Sequence, residues 1–170
     1  MELRAFFHGR FLNAVDAKGR VSLPADMRDV IAARARRIAA ETGEHVSDRH
    51  LYVAQHPDLP CLRGFDTGFL PELFAKARRR VSELPAAEQE LALESIQADV
   101  FADLEKTSFD DPGRMVLPPQ SRRLAGIEGQ ALFVGAGESF QVWNPATYLS
   151  CDAVPERAKA AARELMGARA

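Results

Sequence analysis

The chain has 170 residues, of which 46% are apolar and 27% charged, a composition that indicates a folded globular protein and excludes a disordered or fibrous chain. Its 22 basic and 24 acidic residues give a net charge of -2, which excludes a uniformly basic nucleic-acid coat, so any polyanion must bind a local patch. The two cysteines form no CxxC pair, which excludes a disulfide scaffold. No apolar run approaches the ~20 residues of a membrane span, and no signal peptide is recognisable, so we predict a cytoplasmic protein.

Charge is unevenly distributed along the chain. Residues 1–40 carry eight basic and four acidic side chains, whereas residues 83–111 carry nine acidic side chains and one lysine, Lys106. One surface can therefore be cationic although the whole molecule is anionic. The sequence leaves open whether these segments are partner surfaces or solvated helix faces.

Two segments share the pattern D-x-x-G-R-x-x-L-P, at residues 16–24 and residues 110–118. Five residue types recur at an offset of 94, and Arg28 matches Arg122 at the same offset. Further along, residues 51–54 resemble residues 132–135, and these segments begin 27 residues after the motif proline in the first copy and 14 residues after it in the second. The chain therefore contains an internal repeat, and its first copy carries an insertion at about residues 32–47.

Each copy predicts a hairpin, a helix and two further strands. In the first copy, short strands at residues 11–15 and 20–23 flank a tight turn in which Gly19 takes a positive φ. The motif proline ends the second strand and begins a helix, which runs to about Ala40 in the first copy and is a stub at residues 120–124 in the second. Because such half-units are too small to bury a core alone, we expect the two copies to interlock into one barrel-like body.

Helices are also predicted between and after the copies. Two helices at residues 71–81 and 86–104 are separated by a Leu-Pro break. The second presents an apolar stripe at helical spacing: Leu93, Ile96, Val100, Phe101 and Leu104. Asn144 and Pro145 are typical of an N-cap and a first helical residue, and predict a final helix that runs to about Leu165.

The repeated motif has two interpretations, as a structural turn or as a polyanion-binding element. As a turn, its acidic residue accepts backbone hydrogen bonds and its glycine reverses the chain, which gives structural roles to Asp16, Gly19, Asp110 and Gly113. Polyanion binding is favoured by the basic residues that accompany the turns: Arg10, Lys18, Arg20 and Arg28 in the first copy, and Arg114, Arg122 and Arg123 in the second. Arginine on a rigid hairpin can grip phosphates or bind guanine O6 and N7 with its two-donor fork.

The chain resembles the MraZ family, a bacterial family with two AbrB-like (SpoVT-AbrB) repeats. The resemblance rests on the two motifs, on Phe7-His8-Gly9, on the intervening helix pair and on the two strands that end at Trp143. It implies an α+β fold with a mainly β core: a tandem AbrB-like swapped-hairpin double-split β-barrel with additional helices. The expected divisions are a first repeat at residues 6–66, a connecting helix pair at residues 67–105, a second repeat at residues 106–148 and a C-terminal helix at residues 149–170.

The resemblance also implies a function. Members of the family are transcriptional regulators that form ring-shaped homo-oligomers. They bind repeated double-stranded DNA elements upstream of their own operon, a division and cell-wall gene cluster, usually as repressors. The DNA-contacting arginine of the family corresponds to Arg20, with Lys18 beside it. We therefore predict a nucleoid-associated, sequence-specific DNA-binding regulator, with no enzymatic activity, in which the ring multiplies contacts that are individually weak and salt-dependent.

Two features depart from the family pattern. The second motif has Pro112 where the first has Lys18, so the second copy lacks the lysine that stands beside the expected DNA-contacting arginine. The insertion in the first copy contains Arg34, Arg36 and Arg37, which either add phosphate contacts or form a solvated helix face.

Other chemistries have weaker support. His45, His50 and His56 are close in sequence, but their spacings place them on no single face and no cysteine joins them, so no metal site is predicted. Core or turn positions explain the remaining candidates: Cys61, residues 135–137, Phe140 and Trp143. No cofactor is predicted. The alternative to DNA binding is an oligomeric protein-interaction scaffold that uses its acidic helices.

Overall fold

The computed structural model describes residues 5–168. Within them the strands are β1 (Arg10–Ala14), β2 (Arg20–Ser22), β3 (His50–Gln55), β4 (Leu62–Phe65), β5 (Glu105–Ser108), β6 (Arg114–Val116), β7 (Gln130–Gly135) and β8 (Phe140–Trp143). The helices are α1 (Ala25–Thr42), α2 (Leu70–Ser82), α3 (Ala86–Phe101), α4 (Pro119–Leu124), α5 (Pro145–Ser150) and α6 (Glu156–Gly167), with a short 3-10 helix at Thr67–Phe69. The predicted α+β class is confirmed.

The strands exchange partners between the two repeats. A six-stranded antiparallel sheet has the order β1-β7-β8-β4-β3-β5, and β2 pairs with β6 in a separate two-stranded ribbon. The first strand of each repeat therefore pairs with the third strand of the other, β1 with β7 and β5 with β3. In the described part of the chain these are two separate sheets rather than one closed barrel.

The local hairpin predicted for each motif is wrong beyond its turn. The backbone N–H of Asp16 donates to the carbonyl of Arg20 at 3.1 Å, and Gly19 donates to Asp16 at 3.0 Å, so the chain does reverse. Past that point β1 joins the large sheet and β2 joins the ribbon. Strands of five and three residues would leave their apolar face exposed as an isolated hairpin, whereas pairing with the other repeat buries it.

The strand register also corrects the alignment of the repeats by one residue. Leu12 lies opposite Leu132, and Lys106, which is 94 positions after Leu12, lies opposite Tyr52. Tyr52 is therefore the equivalent of Leu132. The sequence comparison of residues 51–54 with residues 132–135 had instead paired Leu51 with Leu132. The apolar runs alone left this choice open because both strands have consecutive buried residues.

One main core is shared by both sheets. The ribbon contributes Val21 and Met115 to it, and the large sheet contributes residues such as Leu51, Phe133 and Phe140. A second core lies under α5 and α6, where Trp143 and Cys61 are fully buried, as predicted for core residues. The two sheets are thus held face to face by apolar burial.

The extra residues of the first repeat lengthen its helix. α1 has 18 residues and its counterpart α4 has six. Within the extended part, Arg34 is almost buried and its Nε lies 2.9 Å from Asp66 Oδ1, while its Nη2 lies 2.9 Å from Glu138 Oε2. The expectation that Arg34 lies on a solvated face or contacts phosphate is therefore wrong, because these acids bind it inside the protein.

The connecting helices form as predicted, with α2 and α3 separated at the Leu-Pro break. α3 has no fully buried residue and packs by its C-terminal end on a cluster of Phe65, Phe69 and Leu73. None of the helices within residues 5–168 combines the length and apolarity that a bilayer crossing needs.

The single final helix predicted from Asn144 is wrong. Asn144 does cap a helix, with its Oδ1 accepting from the N–H of Ala146 at 2.8 Å. That helix, α5, ends at Ser150, and α6 begins after Pro155. Proline has no N–H to donate within a continuing helix, so the chain restarts there. The last two residues of the predicted C-terminal helix, 169 and 170, lie outside the described part.

Candidate nucleic-acid interface

The two motifs meet at the ribbon formed by β2 and β6. Val21 lies opposite Met115, and these residues hold equivalent positions 94 apart, so the ribbon relates the two repeats by an approximate twofold axis. Ser22 lies opposite Arg114, which places the Cα atoms of Arg20 and Arg114 about 7 Å apart along the strand direction. Val21 and Met115 are buried, whereas both arginines are exposed on the outer face.

Before each strand lies a turn, which we call loop 1 (residues 16–19) and loop 2 (residues 110–113). In loop 1, Asp16 Oδ1 accepts from the backbone N–H groups of Lys18 and Arg20, both at 2.9 Å, and Asp16 Oδ2 accepts from Arg20 Nε. Gly19 closes the turn with φ +80°. The aspartate therefore fixes both the turn and the arginine side chain that leaves it.

Loop 2 repeats this arrangement. Asp110 accepts from the backbone N–H and from Nε of Arg114, both at 2.7 Å, and Gly113 has φ +90°. The hydrogen bond from the Arg20 backbone, followed by that from its side chain, lowers the pKa of Asp16. At Asp110 burial raises the pKa, but the hydrogen bonds from Arg114 outweigh it and the net pKa is lowered. Both carboxylates are thus ionised at neutral pH.

Each loop is supported by an arginine of the opposite repeat. Arg122, on α4, packs beneath Gly19 of loop 1, and Arg28, on α1, packs beneath Gly113 of loop 2. Backbone hydrogen bonds also join each loop to the other repeat: Leu117 N–H donates to Gly19 O at 2.9 Å, and Leu23 N–H donates to Gly113 O at 2.8 Å. Sequence reasoning assigned both arginines to DNA contact and missed this packing, which the matched offset of Arg28 and Arg122 could have suggested.

The two loops differ in charge and in restraint. Asp111 in loop 2 stands where loop 1 has Ala17, and its carboxylate lies 2.6 Å from Arg49 Nη1. The Nη1 of Arg28 donates to the backbone carbonyl of Asp111 at 2.6 Å. With Pro112 in place of a lysine, the segment from the motif aspartate to the motif arginine has a net charge of +1 in loop 1 and -1 in loop 2.

Arg10 lies apart from the loops. It begins β1, four residues before Ala14, so it is about 13 Å along the strand from the end that leads into loop 1. Its Nε lies 3.4 Å from the hydroxyl of Tyr148. The structure therefore brings Lys18, Arg20, Arg114, Arg28 and Arg122 to the ribbon and its base, and places Arg10 near α5.

The other chemistry-bearing residues form no cluster of their own. Among residues 5–168, no group of three or more His, Cys, Asp or Glu side chains has an arrangement that could hold a metal ion. Burial raises the pKa of the Cys61 thiol to about 12, so it is a protonated core residue at neutral pH. His56 Nδ1 accepts from the backbone N–H groups of Asp58 and Leu59, both at 3.1 Å.

Comparisons with known proteins all point to the same family. A family model described as "MraZ protein, putative antitoxin-like" matches residues 100–164. A protein of Ruegeria pomeroyi named transcriptional regulator MraZ is 31% identical over 147 residues, covering 84% of this chain and 79% of the relative. Proteins of the same name from Rhodospirillum rubrum and Parvibaculum lavamentivorans are 34% and 33% identical, covering 82% and 94% of this chain and 79% and 89% of the relatives.

Proposed function

The chain belongs to the MraZ family of transcriptional regulators, and we propose that it represses its own operon, a division and cell-wall gene cluster, by binding repeated upstream DNA elements through loop 1. The observation that carries this proposal is the geometry of Arg20. Its side chain is 62% exposed and its Nε is held by Asp16, while neither Nη group has a hydrogen-bond partner among the described residues. Those two groups form the fork that binds guanine O6 and N7.

Lys18 and Arg122 support the same loop. Lys18 is exposed beside Arg20 and offers a phosphate contact, while Arg122 holds Gly19 from below. Loop 2, with Arg114 above Arg28, is the weaker half of the interface because Asp111 adds a negative charge near any phosphate. Arg10 would contact only DNA that extends past the ribbon toward α5.

An oligomer explains how a chain of net charge -2 can bind DNA usefully. One loop supplies few phosphate contacts, so its binding is weak and falls with salt. A ring of subunits on repeated elements raises the effective concentration of each later contact, which converts weak contacts into useful affinity. Binding should therefore depend on the number and spacing of repeats, and the protein should associate with the nucleoid.

The exchanged strands support a swapped-hairpin double-split β-barrel, in which the large sheet and the ribbon are its two faces. On this interpretation the first repeat covers residues 6–66, the connecting helix pair residues 67–105, the second repeat residues 106–148 and the C-terminal helical segment residues 149–170. The main core takes residues from both repeats, which supports two repeats that interlock into one body.

The experiment that tests the function is a fluorescence-anisotropy titration with DNA from upstream of the gene, beside a scrambled DNA of equal length. Arg20→Ala is compared with Arg79→Ala, whose side chain is also 62% exposed and also paired with a carboxylate, on α2. We expect selective, salt-sensitive binding that Arg20→Ala weakens by at least about tenfold and Arg79→Ala leaves within about twofold.

Equal binding to both DNAs, or to neither, would favour the protein-interaction scaffold instead. One observation favours that second function: α3 buries no residue fully and exposes 75% of Leu91. An unchanged affinity in Arg20→Ala, with selectivity retained, would place the DNA contact elsewhere on the molecule.

A further inference from the structure

A cavity of about 380 Å³ lies between the β3–β4 part of the sheet and the helix pair α2 and α3. Its apolar wall includes Leu73, Ala77 and Val100. None of its lining residues belongs to loop 1, to loop 2 or to the ribbon. The cavity therefore has no part in the DNA contact proposed above.

Arg63 is a half-buried cation in this cavity. Its Nε is buried and has no hydrogen-bond acceptor among the described residues. A buried donor without an acceptor loses its hydration without replacement, and such groups are rare in folded proteins. An acceptor supplied from outside would remove that cost.

A second guanidinium lies near the first. Arg80, on α2, lines the same cavity. Burial lowers the pKa of Arg63; Asp58 opposes this change, and the charge of Arg80 adds to it. Within residues 5–168 no carboxylate lies within ion-pair distance of Arg63 or Arg80. Two guanidinium groups that share a cavity and form no ion pair there can together bind an oxyanion.

The fold itself does not require a cation at this place. Arg63 lies opposite Gln141 at the centre of the β4–β8 ladder, where the two repeats meet, and the registers make these two positions equivalent. Gln141 is neutral and satisfied, with its Oε1 accepting from Trp143 Nε1 at 2.8 Å. The same strand position therefore folds with a neutral side chain in the second repeat, so the charge of Arg63 is not a requirement of the sheet.

The charges around the cavity set the class of ligand. Arg63, Lys76 and Arg80 line it together with the acids Asp99 and Asp103. His56 also lines it, and burial, followed by the charge of Arg63, lowers its pKa, so it is neutral at pH 7. The lining carries one net positive charge, which matches a ligand of charge -1 rather than a polyanion such as nucleic acid.

We propose that this cavity binds a small organic monoanion, a carboxylate on an apolar body, whose oxygens accept from Arg63 and Arg80 while the body packs on Leu73, Ala77 and Val100. The ligand bridges strand β4 and helix α2. Because α3 has no fully buried residue of its own, the contact of the ligand with Val100 also helps to hold α3.

Benzoate and benzamide test this proposal on the full-length protein by isothermal titration calorimetry at pH 7.5. The two probes share shape and apolar surface and differ in charge. We expect benzoate to bind at least about tenfold more tightly than benzamide. In Arg63→Gln, which copies the residue at the equivalent strand position, the preference for benzoate should fall to within about twofold.

Arg80→Gln and Arg78→Gln complete the design. Arg80 is exposed on α2, so its substitution should leave the fold intact and still weaken benzoate binding severalfold. Arg78 lies on the same helix, over the ring of Phe74 and outside this cavity, so Arg78→Gln should bind benzoate as the parent does. Equal binding of the two probes, no binding of benzoate up to about 10 mM, or an unchanged preference in both Arg63→Gln and Arg80→Gln would overturn the proposal. None of these results depends on DNA binding.

Discussion

Arg122 of the second repeat lies directly beneath Gly19 of the first. A Cβ atom at Gly19 would lie 3.0 Å from Arg122 Nε and 3.3 Å from the carbonyl oxygen of Leu117. The approximate twofold repeats this contact at Gly113, where a Cβ would lie 2.8 Å from both Arg28 Nε and the Leu23 carbonyl oxygen. Each loop is thus shaped by the other repeat. Glycine is required in each loop for two reasons, the positive φ and the close approach of an arginine side chain.

The two roles of these glycines can be separated by alanine substitution. Gly43 has a similar φ of +74° but nothing within 4 Å of its Cβ position, so Gly43→Ala should cost only the left-handed strain, about 1 kcal/mol. Gly19→Ala should cost more, and Gly113→Ala most, because a Cβ at Gly113 would lie 2.8 Å from a backbone oxygen whereas a Cβ at Gly19 would lie 3.3 Å from one. Urea denaturation measures the three free energies of unfolding. Equal losses in all three variants would mean that the arginine contacts are not tight.

The charge of loop 2 predicts that its DNA contact can be improved. Replacing Asp111→Ala and Pro112→Lys together gives loop 2 the sequence of loop 1 and raises the net charge of residues 110–114 from -1 to +1. We expect tighter DNA binding at low salt. The slope of log K against log salt concentration should become more negative by about 1 to 2. Asp111→Ala alone serves as the control and should give the smaller change. If the slope did not change in the double variant, loop 2 would lie away from the phosphates.

The ion pair of Arg34 and Asp66 should be a large contributor to stability once one partner is removed. Both side chains are nearly buried, and Asp66 Oδ2 also accepts from the N–H of Gly68 at 3.1 Å. Asp66→Ala leaves a nearly buried guanidinium without the more buried of its two carboxylate partners, so we expect a loss of about 3–5 kcal/mol in the free energy of unfolding. Glu138→Ala is the matched control, since that side chain is 41% exposed and should cost less than about 1 kcal/mol. Thermal denaturation of both variants makes the comparison, and similar losses would contradict it.

The two cysteines should differ in reactivity by orders of magnitude. Cys61 is fully buried with its pKa raised to about 12, whereas Cys151 is only partly buried. Because the thiolate is the reacting species, a thiol reagent at pH 8 should label Cys151 in the native protein and Cys61 only after unfolding. Cys151→Ser should therefore show no rapid labelling. Rapid labelling of that variant would mean that the second core opens readily.

The turn of loop 1 should be insensitive to pH across the neutral range. Hydrogen bonds from Arg20 hold the pKa of Asp16 below its ordinary value of 3.8. A lowered folded pKa means that the stabilisation is fully present above 3.8 and is lost as the pH falls through the lowered value. NMR titration of the Asp16 carboxyl carbon should show a midpoint below 3.8, and DNA affinity should not change through this group between pH 8 and pH 5. A midpoint above 3.8 would contradict the hydrogen-bonded geometry.

Much of the fold follows from local sequence signals. The motif turns, the helix after each motif proline, the two later strands of each repeat and the Asn144 cap all form where the pattern predicts them. These features depend on turn residues, prolines and short apolar runs, which act within a few residues.

The features that sequence reasoning missed depend on contacts between distant residues. Arg34 is buried because Asp66 and Glu138 lie beside it, 32 and 104 residues away. The partner of β1 is β7 rather than β2, which no local pattern encodes. At the interface, the sequence supplied the basic residues but not the difference between the loops, because the restraint on loop 2 comes from Arg49 and Arg28 in the other repeat.

Strand exchange also sets an order of events during synthesis. The partner of Leu12 is Leu132, so β1 must wait for 120 further residues to be made before it can pair, roughly 6 to 24 s at ordinary rates of translation. Loop 1 needs Arg122 beneath it and therefore takes its final shape only when most of the chain has left the ribosome. An incomplete chain thus carries Arg20 on a loop whose supporting arginine has not yet been made, and on the proposed function only nearly finished molecules bind DNA through it.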